Sequence, residues 1–340
     1  MNFDFDDTQY ALRDMARDLF TKESPASRLR EMWEGKPFDR RVWKTMAEAG
    51  ICGLTVPEEF GGAGGTILDL TLVYEEAGRA CLPEPLLETT GIAAPLIARF
   101  GSDVLKERWL PAIASGDAIA GIQEGDGSHV AGGAEADFIV AGRDDAIHIV
   151  DSGGFRASPV ASLDQARPVA RVECDTGFET RLVSTGDHDA LTLFWGAAFT
   201  GAASILNGLA MQMRDMSVAY VTDRKQFGRP VGSFQAVKHK LASMHVAIES
   251  ARPAAWYAAY ALTESRDGAT VDSAVAKIAA NDAEALCNSE ALQCHGGIGF
   301  TWEHDLHFWL KRGIALRGSF GTSAELRRNL TRVHDWDELL

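Results

Sequence analysis

The chain has 340 residues, 46% of them hydrophobic, and a formal charge of −15. That is longer than one typical domain, with enough apolar residues for a substantial core. No basic block offsets the acidic balance, which argues against nucleic acid or an anionic membrane as partner. The five cysteines (Cys52, Cys81, Cys174, Cys287 and Cys294) are odd in number and scattered. They point to reduced thiols in a cytoplasmic protein rather than a disulfide framework. Residues 1–7 are acidic and lack the basic-then-apolar layout of a signal peptide.

Residues 1–117 carry a helical pattern, beginning with the stripe Ala11-Leu12, Met15-Ala16, Leu19-Phe20. Residues 118–189 change character: short β-rich runs such as Phe138-Ile139-Val140 and Ile147-His148-Ile149-Val150 are separated by Gly and Asp. Residues 190–340 return to long helical patterns. The expected fold is mostly α with a small β-domain, divided at about 117 and 189. Residues 190–213 contain no charge and are long enough to span a bilayer. Their glycines, Asn207 and Gln212, and a pattern that runs on into Arg214-Asp215, fit the central helix of a buried bundle better.

Four stretches stand out. Gly61, Gly62, Gly64 and Gly65 follow no strand and precede no lysine, so they read as a structural loop rather than a phosphate cradle. Between two helical patterns lies the charged turn Arg224-Lys225-Gln226-Phe227-Gly228-Arg229-Pro230. It suits either a phosphate-binding guanidinium with close backbone approach or a solvated corner. Gln293-Cys294-His295-Gly296-Gly297-Ile298-Gly299 is a loop a ligand could approach closely, or a helix C-cap. The nearby His295, Glu303, His304, Asp305 and His307 lack the H-E-x-x-H order, so no metal is expected. Arg312, Arg317, Arg327 and Arg328 read as a solvated helix face in preference to a nucleotide-phosphate contact.

Taken together, these stretches resemble the acyl-CoA dehydrogenase family. The carriers are R-x-Q-F-G-x-P-x-G-x-F-Q from Arg224 to Gln235, Q-x-x-G-G-x-G-F from Gln293 to Phe300, and Tyr74-Glu75-Glu76-Ala77-Gly78 behind the segment of residues 50–62. The resemblance implies an N-terminal helical domain, a middle β-domain and a C-terminal four-helix bundle. It implies FAD as cofactor and an acyl-CoA as substrate, desaturated by loss of an α-proton to a carboxylate and of a β-hydride to flavin. It places Arg224 on the FAD pyrophosphate, Phe227 and Gly228 along the adenine half, and Gln226, Gln293, Gly296, Gly297 and Thr322 among the cofactor contacts.

Against that pattern, Phe320 occupies the usual position of the catalytic glutamate, and residues 191–200, the other family seat for the base, contain no acid. Residues 118–189 contain neither Trp nor Tyr to cover a flavin, and after Glu124 they are short of a hairpin by the family's pattern. In the family FAD lies across a subunit boundary, so this chain keeps what it donates and lacks what it would use. That resembles the partner subunits of heterotetrameric acyl-CoA dehydrogenases in bacterial steroid catabolism. The expectation is a base-lacking subunit in a homo- or hetero-oligomer, dimer or tetramer. Two alternatives stay open: a self-sufficient homotetramer using an acid such as Glu249 or Asp189, and a non-enzymatic acyl-CoA-binding or scaffold protein.

Overall fold

The computed structural model describes residues 4–124, 129–143, 146–175, 177, 179–183 and 187–333. The N-terminal helices are α1 (Asp7–Glu23), α2 (Ala26–Trp33), α3 (Arg40–Glu48) and α4 (Ile67–Arg79). A π-helical segment (Leu87–Ala93) then runs into α5 (Ala94–Phe100), followed by α6 (Asp103–Ala114). Local chemistry fixes the starts: Asp6 and Gln9 cap α1 reciprocally, and Thr66 and Asp69 do the same for α4.

The strands are β1 (Ala120–Glu124), β2 (His129–Ala131), β3 (Phe138–Arg143), β4 (Ala146–Asp151), β5 (Phe155–Val160), β6 (Val169–Cys174) and β7 (Glu179–Val183). They form two sheets, ordered β1-β3-β4-β7 and β2-β6-β5, and only the β1–β3 pairing is parallel. Gln123 is fully buried, and its amide crosses between the sheets to donate to Val172 O at 2.8 Å. That bond satisfies a polar group that would otherwise be costly to bury.

Next come α7 (His188–Asp223), the small hairpin β8 (Lys225–Gln226) and β9 (Arg229–Pro230), then α8 (Gln235–Thr263), α9 (Ala269–His295), α10 (Leu306–Gly318) and α11 (Ser323–Val333). α7 is long and apolar enough to cross a membrane, but 89% of its most apolar window is buried inside the protein. It is the spine against which α4, α8 and α9 pack.

α4 and α7 cross at backbone contact. A Cβ on Gly78 would lie 2.1 Å from Ile205 O, and one on Gly208 would lie 2.0 Å from Glu75 O. The two backbones therefore touch. From the same turn of α4, the buried Glu75 carboxylate accepts from Arg252 (2.7 and 3.0 Å) and from the Trp256 indole (3.0 Å) on α8. Glu76 accepts from Arg17 on α1 at 2.7 Å.

Arg312 corrects the sequence expectation of a solvated arginine face. It is buried, pairs with the buried Asp164 carboxylate and donates to Leu82 O at 2.6 Å. Burial of both partners makes it a clamp joining α10, the β region and the segment after α4. Arg317 is likewise paired, 2.5 Å from Glu284; Arg327 and Arg328 are exposed, Arg327 pairing with Asp282 at the surface.

Gly208→Val should drive α4 and α7 apart and destabilise the fold by about 3 kcal/mol or more, since no side chain can yield to backbone carbonyl contact. Denaturant midpoints read this directly; a midpoint equal to wild type would show that the crossing is soft.

Candidate cofactor and substrate site

α7 ends where Arg224 turns extended (ψ 123°) and the chain makes a two-residue hairpin. The turn residues Phe227 and Gly228 both have positive φ, 53° and 76°, as hairpin twist requires. Glycine takes that conformation freely, whereas a bulky aromatic is strained by on the order of 1 kcal/mol. Phe227 is also 91% exposed, with its ring edge-on to that of Phe234 at 6.1 Å. Strain with so little packing in return is unexplained by the chain's own stability. Gln226 is exposed, its amide donating to Lys225 O. Arg224 is exposed, and its guanidinium has no partner among the described residues.

One turn before Arg224, the Tyr220 ring stacks on His295 (4.7 Å, 24°) at the end of α9. This contact brings the second motif alongside the first. Gln293 is exposed on α9, and Gly296 ends the helix with φ 62°. Gly297 is exposed, has no left-handed φ, and a Cβ there would meet nothing within 4 Å. Nothing inside the chain requires glycine at 297. His295 donates from Nδ1 to Ala291 O at 2.8 Å, and burial lowers its pKa, so the ring is neutral with Nε2 unpartnered. Arg224, Gln226, Phe227, Gly228, Gln293, Gly296 and Gly297 thus gather on one end of the bundle.

The large cavity lies at the other end. It measures about 1250 Å³ and is walled by Trp195 and Phe199 of α7, Leu262 of α8, Phe320 and Leu326, with Glu124 projecting from the end of β1. Trp195 and Arg224 are separated by about 44 Å along α7 at the helical rise of 1.5 Å per residue. Phe320 is buried with φ 58°, a second aromatic in the left-handed region. Thr322 stays at this end, away from the Arg224 cluster. It is exposed and caps α11, exchanging hydrogen bonds with Glu325.

Neither rival acid weighed from the sequence occupies the cavity interior. Glu249 is half exposed on α8 between His245 (3.7 Å) and Arg252 (3.8 Å), and is not part of the wall. Asp189 is at the rim, 71% exposed and 3.7 Å from Arg99. Sequence reasoning missed Glu124. Burial raises its pKa, while the Phe320 backbone N–H facing it and the positive Lys277 pull the other way. Behind the wall, fully buried Lys277 donates to Asn281 Oδ1 (2.7 Å) and Leu316 O (3.3 Å). Burial lowers it to about 7, against the attraction of Glu124 and Glu284. Burial also raises Glu284 to about 7, opposed by Arg317. A lone lysine in the run Ala274-Val275-Ala276-Lys277-Ile278-Ala279-Ala280 was the available signal.

Comparison with known proteins agrees with this architecture. Residues 6–117 match the acyl-CoA dehydrogenase N-terminal domain and residues 196–334 the acyl-CoA dehydrogenase C-terminal domain. The chain is 35% identical over 321 residues to acyl-CoA dehydrogenase IpdE2 of Mycobacterium tuberculosis, covering 94% of this chain and 95% of that protein. The Mycolicibacterium smegmatis protein of the same name is also 35% identical, covering 94% and 96%. Among solved structures, a variant of the steroid ACAD Tcur3481-Tcur3483 superposes with TM-score 0.86 at 25% identity, covering 96% of this chain and 97% of that one. Butyryl-CoA dehydrogenase of Megasphaera elsdenii shares the fold at TM-score 0.87 and 21% identity, covering 98% and 100%. The chain belongs to the acyl-CoA dehydrogenase family.

The Arg224 end has features that fit the family's flavin nucleotide: a guanidinium with no partner among the described residues, an exposed aromatic and an open glycine.

Lys277 makes stability depend on pH. Its folded pKa lies below its unfolded one, so the unfolded chain binds the extra proton between about 7 and 10.5, and stability rises with pH across that window. Lys277→Met should flatten this rise in denaturation series from pH 7 to 10; an unaltered slope would mean the ammonium is solvated.

Proposed function

We propose that this chain is the base-lacking subunit of a heteromeric, FAD-dependent acyl-CoA dehydrogenase that catalyses α,β-desaturation of an acyl-CoA thioester. The observation carrying the proposal is the separation along α7. Arg224 and the residues gathered with it crowd one end, about 44 Å along α7 from Trp195 in the wall of the chain's own cavity, which Phe320 also lines. A group held by Arg224 therefore reacts over another subunit's cavity. The names of similar proteins support this reading, since solved structures of like fold include the Tcur3481-Tcur3483 steroid ACAD and the ChsE4-ChsE5 complex. A steroid-derived or other bulky acyl group is the substrate class they favour.

Each residue has a task. Arg224 holds the pyrophosphate by paired, permanently charged donors. Phe227 and Gln226 cover the adenine half, and Gly228 permits their turn. Gly296 and Gly297 let backbone approach the nucleotide, with Gln293 beside them. When bound, FAD supplies a hydride acceptor at the substrate β-carbon. Phenylalanine cannot take the α-proton, so Phe320 contributes only an apolar wall that excludes water. The partner subunit must bring the carboxylate. Thr322 serves this chain's own cavity, through its cap on α11, rather than the donated cofactor site. The assembly is cytoplasmic, a dimer or tetramer.

The isolated chain should carry far less than one FAD per subunit and show no desaturation. Co-expression with a glutamate-bearing partner should give a yellow, active complex with about half the usual flavin per chain, and in it Arg224→Ala should weaken FAD binding roughly ten- to a hundredfold. One FAD per isolated subunit, reduced by an acyl-CoA, would overturn the partner-subunit reading.

Glu124 favours a second reading, the self-sufficient homotetramer, because it is an acid inside the cavity with its pKa raised by burial. Under it, Glu124→Gln abolishes turnover by the isolated chain. Under the first reading the isolated chain has no turnover to lose, and the same substitution leaves that of the complex intact.

A further inference from the structure

The segment just beyond Gly297 is held by an element far away in sequence. Arg30 of α2 donates to Trp302 O at 2.7 Å and pairs with Asp305. The Trp33 ring, also on α2, lies 5.5 Å from that of Trp302. Between the two indoles sits Lys311 of α10, its Nζ 3.9 Å from each ring centroid. His307 closes the box edge-on to both rings, at 5.7 and 4.7 Å.

Two details separate this box from ordinary core packing. Trp302 is 59% exposed and the neighbouring Phe300 77%, so the rings are not ordered by burial alone. The buried Trp33 Nε1 has no hydrogen-bond partner among the described residues, and the contacts Trp33 makes here run through its ring. The face of an indole attracts a cation. His307 does not compete: burial, with Lys311 and Arg30 adding to it, lowers its pKa to about 4 and leaves it uncharged. Lys311 is the cation between the rings.

We infer that Arg30, Trp33 and Lys311 form a latch by which α2 positions the loop carrying Gly296 and Gly297 for the nucleotide. They are positioning residues, acting through the loop rather than touching the cofactor. α2 thereby couples the N-terminal helices to a cofactor site at the end of the bundle. The inference rests on the proposed donation of these glycines to FAD, so its test has two arms.

The first arm uses the isolated chain and needs no cofactor. Amide exchange across residues 296–305 should accelerate in Lys311→Met and in Trp33→Ala, and return to the wild-type rate in Trp33→Phe, which keeps a ring face. Unchanged exchange in both disruptive variants would overturn the latch. The second arm uses the co-expressed complex. FAD affinity should fall roughly two- to thirtyfold in Lys311→Met, the span of cation–π contacts from exposed to desolvated. The flavin circular dichroism should change with it; Trp33→Ala should disturb both in the same way, and Trp33→Phe, which keeps a ring face, should leave both at the wild-type level. Faster exchange with unaltered FAD affinity and dichroism would reduce the latch to a stabilising contact and overturn its positioning role. A wild-type complex that binds no FAD would instead defeat the functional reading beneath it, leaving the exchange arm to decide the latch.

Discussion

Backbone contact between α4 and α7 at Gly78 and Gly208 holds the other parts of this molecule in register. Because neither position tolerates a Cβ, the helices cross at contact distance, and Tyr74, Glu75 and Glu76 are delivered to fixed places around the crossing. Tyr74 enters the core, Glu75 meets Arg252 and Trp256, and Glu76 meets Arg17. One turn of α4 thus organises α1, α7 and α8. The buried carboxylate of Glu75 would be expensive alone and is tolerable because three donor bonds satisfy it.

With α7 fixed at its middle, its ends become separate chemical environments. The end at Arg224 is charged, exposed and strained at Phe227; the other is an apolar cavity backed by Glu124, Lys277 and Glu284. A rigid helix this long cannot bring its own two ends to one ligand. On the proposed reading, that constraint means that what Arg224 holds, it holds for a neighbour. The ion pair of Arg312 with Asp164, together with its bond to Leu82 O, ties the β region to the helices.

Local features were legible in the sequence and distant pairings were not. The alternation of helical and strand periods gave the mostly α fold with a small β part, and the glycine-bearing turn after Asp223 announced the end of α7. Phe320 lies in a contiguous motif, so the expectation that the usual base is absent there could be formed from the sequence alone. Arg312 was misread as solvated because its partner Asp164 is 148 residues away. Glu124 was overlooked because only the fold sets it against Phe320, and Trp33 because Trp302 is hundreds of residues downstream. Thr322 offered a signal in plain view: Thr322-Ser323-Ala324-Glu325 is a capping box, and the structure uses it as one.

The central claim is that the two ends of α7 serve different cofactor sites. A density map of the FAD-loaded complex tests it most directly. The account predicts the pyrophosphate within hydrogen-bonding distance of Arg224 from this chain, with the isoalloxazine ring seated in the partner's cavity. An isoalloxazine ring lying between Phe320 and Glu124 of this chain, in a site that needs no partner carboxylate, would contradict it.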